Sequence, residues 1–477
     1  MITRAGRPGA WLAGCIFVAA CAPKAKYVTP AADVAPAFKE NANWKAPQPR
    51  DTEIRGRWWE LFGDPQLTDL EARVDISNQN LRAAEAQFAQ ARALVRGAHA
   101  NLYPQVNLGP SIAVERSSAN RAISSFHDVY GDFLLPASVS YEADVWGRLH
   151  GILEANRTAA QATAADVETA RLSLHAELAI DYFMLRGFDR EQALLDNTVT
   201  AFEQALELTQ NRFRGGLASQ ADVAQAETQL ETTRAQAVDV REVRATLEHA
   251  VAVLVGQPAS TFALAAAPLT SIPPAVPVGV PSDLLERRPD IAAAERRIAS
   301  ASAEVGVATS AFYPILTLSA AGGFEGSSIA SWFASASNFW AAGPALVVNV
   351  FDAGRRRAAK EQAVAQYDLA TASYRQAILV AFQEVEDQLA SLRVLEEEAQ
   401  VQDRAVAASE RSLTLANNRY RGGVTSYLEV LTAQSFALTN ERAAVTLLTR
   451  RMTATVLLLK GLGGGWTAAS LPALATR

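Results

Sequence analysis

The sequence predicts a mainly helical chain made of two copies of one unit, each copy a long helical hairpin that carries a short β-hairpin. Three observations predict it. The phrase NRFRGGLASQADV at Asn211–Val223 returns 207 residues later as NRYRGGVTSYLEV at Asn418–Val430, identical at seven of thirteen positions. Such self-similarity is weighed before any fold assignment. Two long stretches, Ala137–Gln257 and Ala345–Leu471, contain no proline, so long helices can run there unbroken. Two shorter stretches, Pro104–Tyr141 and Pro314–Val350, are instead rich in Gly, Ser, Val and aromatics and carry alternating pieces such as Gln105-Val106-Asn107-Leu108 and Ile315-Leu316-Thr317-Leu318, the period of strands.

Other echoes fix the size of the unit. Tyr103-Pro104 returns as Tyr313-Pro314, Leu81-Arg82-Ala83-Ala84-Glu85 as Ile291-Ala292-Ala293-Ala294-Glu295, and Gly147-Arg148 as Gly354-Arg355, at spacings of 210, 210 and 207. The first copy takes residues 63–257 and the second 282–462, with a proline-rich linker at 258–281 and a tail at 463–477.

Ahead of the first copy, residues 1–20 have a basic start (Arg4, Arg7), an apolar middle and a small-residue end, the layout of an export leader. Cys15 and Cys21 each close a phrase resembling a lipobox, the site where bacterial lipoproteins are cut and acylated, and Cys21 leaves the longer apolar run before it. Cys21 is therefore the expected lipid-bearing residue, and 21–62 a lipidated tether. Acylation takes the thiol of the cysteine at the cut, so neither site leaves two free thiols, and disulfides do not stabilise the mature chain. The full sequence of 477 residues is 49% hydrophobic and 20% charged, with mean hydropathy +0.02, ordinary globular values. The formal charge of −6 becomes −8 once Arg4 and Arg7 leave, which argues against nucleic acid as a partner. No run of eighteen apolar residues follows the leader, so the mature chain has no spanning α-helix.

Gly147–Arg214 and Gly354–Arg421 are both 68 residues long, about 100 Å as helix. Ile378, Phe382, Val385, Leu389 and Leu392 in one, and Leu178, Tyr182 and Leu185 in the other, follow the 4-3 spacing of narrow coiled-coil seams. Gly215-Gly216 and Gly422-Gly423 end these helices by left-handed termination. Ser219 with Asp222, and Ser426 with Glu429, open the next ones as capping boxes. Arg212, Arg214, Arg419 and Arg421 complement the helix dipoles from the last turns. Each repeated phrase is thus a hairpin tip. The returning limbs, Leu217–Gly256 and Val424–Gly461, are shorter, and Asp64–Tyr103 and Ser282–Tyr313 are helical segments left over. Stacking the first limb on Ser282–Tyr313 and the second on Asp64–Tyr103 makes two further rods of nearly the long helices' length.

Four strands in two hairpins, around loops at Ser117–Asp132 and Gly323–Asn338, cannot close a barrel. Open edges cannot face lipid, so a membrane role requires chains to pool strands. On pattern alone a soluble β-cap stays open.

At this point the residues resemble a family, the TolC-like outer-membrane efflux proteins, in their lipidated OprM/NodT branch. The carrying motifs are Cys21-x5-Tyr27-x2-Pro30, Trp58-Trp59 with Phe62-x-Asp64-Pro65-x-Leu67, Tyr141-Glu142-x-Asp144-x-Trp146-Gly147-Arg148, Leu284-Leu285-x-Arg287-Arg288-Pro289-Asp290-Ile291, and both tips. The resemblance implies a homotrimer in the outer membrane of a Gram-negative bacterium: a 12-stranded β-barrel continued into the periplasm by a 12-helix α-barrel. It also implies a periplasmic adaptor (membrane-fusion) protein and an inner-membrane RND-type pump as partners, the chain being their passive exit duct. Docking would fall on Arg214, Gly215, Gly216, Leu217 and Arg421, Gly422, Gly423, Val424. Asp222 and Glu429 match acidic positions that narrow the periplasmic mouth, whereas Thr425 and Thr432 replace a latching arginine and a second acid. The alternative is a lipid-anchored coiled-coil scaffold with no pore.

Catalysis finds no constellation. His99, His127, His150, His175 and His249 are scattered without metal-ligand spacing, and no phosphate-binding loop or nucleophile elbow is present. No metal or cofactor is expected beyond the lipid on Cys21. Arg287-Arg288-Pro289-Asp290 reads as a charged turn entering a helix, and Glu396-Glu397-Glu398 as a solvated face.

Overall fold

The computed structural model describes residues 27–31, 36–40, 56–116, 118, 129–276 and 283–473. The leader, Cys15 and Cys21, most of the loop after Arg116, Pro277, Pro281 and the last four residues lie outside them.

Helices α1 (Pro65–Ser77) and α2 (Gln79–Ala100) lead into strands β1 (Gln105–Leu108), β2 (Ser111–Arg116) and β3 (Val129–Ala143). The long helix α3 (Arg148–Arg214) and its return α4 (Gln220–Leu254) complete the first copy. The second copy repeats the order with α5 (Leu284–Arg287), α6 (Pro289–Ser310), β4 (Ile315–Gly326), β5 (Asn338–Val347), α7 (Arg355–Arg421) and α8 (Tyr427–Gly461). Both long helices have 67 residues and both returns 35. Gly147 and Gly354 cap them rather than belong to them, with left-handed φ of 73° and 89°. The 4-3 seams are buried as their spacing predicts, Phe382 being packed beside the rest.

Two expectations about the helices are corrected. Asp64–Tyr103 and Ser282–Tyr313 are not single helices. Asn78 breaks the first: its side chain caps Leu81 N–H at 3.0 Å and donates to Leu254 O at 2.8 Å. Pro289 breaks the second, as the first residue of α6, where a missing N–H costs nothing. The stacking also pairs differently. The end of α4 meets Asn78 at the start of α2, and the end of α8 meets Arg288 at the start of α6, through Arg288 to Gly461 O at 3.1 Å. Each 35-residue return therefore continues into a 22-residue helix of its own copy. The junctions need glycine, because a Cβ on Gly256 or Gly463 would fall 2.3 Å from Ser77 O or 2.1 Å from Arg287 O.

The principal core sits at the level of these junctions, where Trp58, Trp59, Phe62, Leu67 and Val74 meet Leu178, Tyr182 and Leu185 of α3 and Val385, Leu389 and Leu392 of α7. At the far end, about 100 Å of helix away from Gly147, a small cluster of Ala226, Ala416, Tyr420, Tyr427, Val430 and Ala433 remains.

All strands join one antiparallel sheet, with β1 and β2 both on β3, then β4, then β5. The first strand is not continuous as expected. Gly109 and Pro110 interrupt it, proline having no N–H for the ladder, while β1 and β2 keep one register against β3. Residues directly opposite share a face, and the faces differ. Val106, Leu108, Ile112 and Val114 align through Val139, Ala137, Phe133 and Gly131 of β3, and that face continues through Leu316, Leu318, Phe324, Trp340 and Leu346. The other face is richer in polar residues, with Gln105, Asn107, Ser111, Glu115, Asp132, Ser138, Ser140, Glu142, Thr317, Ser319 and Glu325 beside the apolar Leu134, Ile315, Phe339 and Val347. Among the described residues no helix is long and apolar enough to cross a membrane.

Candidate functional site: the exposed sheet face and the distal tips

The apolar sheet face is exposed: Trp340 is 80% accessible, Val114 75% and Val106 72%. Water does not favour such a surface. Strands β3, β4 and β5 have 15, 12 and 10 residues, enough for a tilted crossing of a hydrocarbon core about 30 Å thick. Aromatic rings mark both ends. At the helical end Trp146 stacks on Tyr313 at 4.9 Å and donates its indole N–H to Pro314 O at 2.7 Å. At the other, Phe133 and Phe324 pack against Trp332 and Phe333 of the β4–β5 loop, with centroids 5.6 Å apart in each pair. Paired aromatic girdles around an apolar band are the signature of a membrane barrel wall. The sheet is open, with β1/β2 and β5 as its edges.

The tips close as their glycines require, through the second glycine of each pair. Gly216 and Gly423 have φ of 72° and 71°, whereas Gly215 and Gly422 do not leave the right-handed side. Leu217 N–H reaches back to Arg212 O at 2.8 Å and Val424 N–H to Arg419 O at 3.0 Å, the bonds of a Schellman ending. Leu217 and Val424 stand 73% and 72% exposed between exposed Arg214 and Arg421.

Beyond the backbone the tips are wired differently. Ser219 and Asp222 form the expected capping box, with Asp222 N–H on Ser219 Oγ at 3.1 Å and Ser219 N–H on Asp222 Oδ2 at 2.8 Å. Ser426 makes no side-chain cap, and that expectation is corrected: Glu429 is drawn to Arg419 at 2.8 Å and to the Thr425 hydroxyl instead. Arg212 crosses from one tip to the other. It donates to Tyr420 O at 2.9 Å and lies 4.5 Å over the Tyr420 ring. Its counterpart Arg419 stays within its own hairpin.

Sequence reasoning missed a buried ionic knot at the core. His175, expected as a solvated or packing residue, bonds Glu71 at 2.6 Å and Asp75 at 3.3 Å and stacks on Trp59 at 4.5 Å. Burial opposes its charge, but the bonds from Asp75 and Glu71 outweigh that and raise its pKa to about 9. Burial raises Glu71 to about 7 against the pull of His175. The signal available was the i, i+4 pair Glu71 and Asp75, a charged stripe on a helix that otherwise faces the core. Among the described residues no cluster suits a metal ion.

With this geometry in place, comparison with known proteins is informative. Residues 73–257 and, 207 positions later, 280–464 each match the outer membrane efflux protein family. The chain is 32% identical over 421 residues to the pyoverdine export outer membrane protein OpmQ of Pseudomonas aeruginosa, covering 87% of this chain and 88% of that one. It is 30% identical to the toluene efflux pump outer membrane protein TtgC of Pseudomonas putida over 92% of both. Among solved structures, the outer-membrane channel OprN superposes with a TM-score of 0.87 at 30% identity over 94% of this chain and all of that one. The open state of the Neisseria gonorrhoeae MtrE channel gives 0.83 at 26% identity over 94% and 99%.

Proposed function

The chain belongs to the outer membrane efflux protein family, and from that premise we propose that three copies assemble into the exit duct of a tripartite efflux pump in a Gram-negative outer membrane. Each copy supplies four strand positions, so three make a 12-stranded barrel and remove every open edge. The helices below would form the 12-helix periplasmic tube, held by an adaptor and an inner-membrane RND-type pump. The carrying observation is the single sheet with one apolar face, one face rich in polar side chains and two free edges, set at one end of a rod about 100 Å long.

Three assignments refine the reading. Cys21 carries the lipid: six residues after it the Tyr27 hydroxyl donates to Glu295 of α6 at 2.9 Å, which fastens the start of the tether to the helices. The adaptor docks on Arg214–Leu217 and Arg421–Val424. Asp222 and Glu429 line the periplasmic mouth, favouring cations by a focused negative potential.

Purified from outer membranes, the protein should migrate as a heat-modifiable trimer, conduct ions in planar bilayers and show an acylated N-terminal Cys21 by mass spectrometry. A lipid-bearing protein that neither inserts a barrel nor conducts would establish the pore-free scaffold instead.

A further inference from the structure

At the level of the core, one side of α3 holds the linker: Arg186 donates to Ala265 O at 2.8 Å and Asp189 accepts Ala267 N–H at 3.0 Å. Arg451 and Thr455 of α8 turn the same way, lining a cleft with Pro273 and Pro274. At about 3.6 residues per turn, Asp181, Met184 and Phe188 of α3 and Thr446, Thr449 and Thr453 of α8 lie on the opposite side. In the exit duct proposed above, on which this step rests, the linker stays outside and the opposite side is the inner wall. Within one copy α3 lies between α4 and α8, and α8 between α3 and α7. The seam between α3 and α8 is therefore no edge of the copy, and a neighbouring copy does not cover it.

This seam is tight at one point and open beside it. A Cβ on Gly187 would fall 2.3 Å from Thr449 Oγ1, yet Met184, Phe188 and Val445 border a groove of about 260 Å³. Towards the tips it is shut: Glu191 binds Arg442 at 2.6 Å, and Leu195, Ala237, Val240 and Leu438 pack together beyond. What the groove offers is acceptors. Thr449 and Thr453 spend their O–H groups on Val445 O and Arg450 O of their own helix, at 3.1 and 3.0 Å, which leaves hydroxyl lone pairs for a guest. Arg450 at the rim faces Glu398 at 3.7 Å. One turn towards the membrane from Met184 stands half-buried Asp181, with Glu177 a turn beyond it. Among the described residues neither acid forms an ion pair, with Lys460 on the same side of α8 or with any other cation. Burial and the like charge of Glu177 lift the Asp181 pKa from 3.8 to about 6.

We infer that this groove seats a lipophilic organic cation, its apolar body against Met184, Phe188 and Val445 and its charge beside Asp181. The body gains by leaving water, the Phe188 ring attracts a cation, and a half-buried carboxylate attracts it more strongly than one in bulk water. An anion of the same size meets like charge and no free donor.

Met184 and Met452 are the only methionines after Met1, and Met452 is fully buried. Methionine labelled with 13C in its methyl group therefore gives two signals in the trimer held in nanodiscs, assigned with Met184→Leu. Titrated with benzyltrimethylammonium, with Asp181 ionised, the Met184 methyl should shift saturably while that of Met452 stays. Phenylmethanesulfonate, an aromatic anion of similar size, should shift neither. Asp181→Asn should weaken the cation about fivefold, the effect of losing one partly exposed charge contact. A Met184 methyl unmoved by the cation, moved equally by the anion, or titrated equally in Asp181→Asn, in trimers that conduct ions, would overturn the seat. Trimers that do not conduct would overturn the duct, and the seat with it.

Discussion

The two long hairpins have the same lengths, the same left-handed glycine caps and the same tip phrase, and they live in different surroundings. Helix α3 is enclosed by α1, α2, α4, α6 and α8, whereas α7 meets chiefly α6 and α8 and leaves one flank open. His175 on α3 answers to Phe382 on α7, and buried Asp189 to exposed Glu396. The duplication has conserved what a helix needs locally, its ends and its seam. What each face buries is set by neighbours, and α7 is the edge helix whose missing neighbour, in the proposed trimer, is the next copy.

The largest expected difference between the copies lies at their matching carboxylates. The Asp189 side chain is 1% exposed and holds Arg186 at 2.7 Å, Arg244 at 2.6 Å and the linker N–H. Asp189→Ala strands two arginines, a loss of about 3–5 kcal/mol for a buried ion group. Glu396 is 54% exposed beside Arg451, so Glu396→Ala should cost no more than about 1 kcal/mol. Thermal unfolding of the assembled protein ranks them, and equal shifts would mean that the two carboxylates are equivalent after all.

How much of this was legible follows the same division. The lengths of the long helices, their glycine ends, the tips and the seams were written in residue spacing, because a left-handed turn or a heptad seam imposes a residue type at a fixed position; the capping box was legible at Ser219 and misread at Ser426, where Arg419 and Thr425 take the Glu429 carboxylate. The apolar sheet face was legible only in fragments, since alternation in Gln105–Leu108 gains meaning when the register aligns it with Val139 and Trp340. The break at Asn78, the knot at His175 and the reach of Arg212 were not legible. Each depends on a partner 100 or more residues away, and a lone histidine or arginine in a helix carries no mark of that partner.

The knot gives the next contrast, in pH. A histidine raised from 6.5 to about 9 contributes stability that is full below pH 6.5 and lost as pH rises through 9. Glu71, raised from 4.5 to about 7, likewise contributes below its unfolded value and loses that contribution as pH rises through 7. Asp75, lowered chiefly by its bond from His175, acts oppositely, contributing above 3.8 and losing it as pH falls. Stability should therefore decline between pH 7 and 9. His175→Phe, which copies the residue of the second repeat, should flatten that decline. An unchanged slope would place the pH dependence in other groups.

At the tips the contrast narrows to single bonds. Arg212→Ala removes the contact that joins one tip to the other, a charge-assisted hydrogen bond and a cation over a ring worth roughly 1–3 kcal/mol. Arg419→Ala removes a pair whose members are 55% and 39% exposed, worth about 1 kcal/mol at most. Single-channel conductance should rise more for Arg212→Ala than for Arg419→Ala. A larger effect at Arg419 would reverse the reading of which arginine restrains the hairpins.

The smallest effects belong to the two acids proposed at the mouth, and here the structure separates roles that the sequence could not. Asp222 is engaged by its own helix start, so Asp222→Asn should lose a fraction of a capping interaction worth about 1 kcal/mol. Glu429 caps nothing; its carboxylate is held out from the helix start by Arg419 and Thr425. Glu429→Gln therefore leaves α8 nearly as stable while cancelling one negative charge per copy. If both carboxylates line the constriction, each substitution lowers cation selectivity, and the pair lowers it further, because the field of a charge ring is set by the summed charge. The arginine beside Glu429 already offsets part of its charge, so Asp222→Asn should move the reversal potential more than Glu429→Gln. A reversal potential unmoved by the double substitution, in channels of unaltered thermal stability, would remove both acids from the mouth and leave the Arg212 contact as the feature that restrains it.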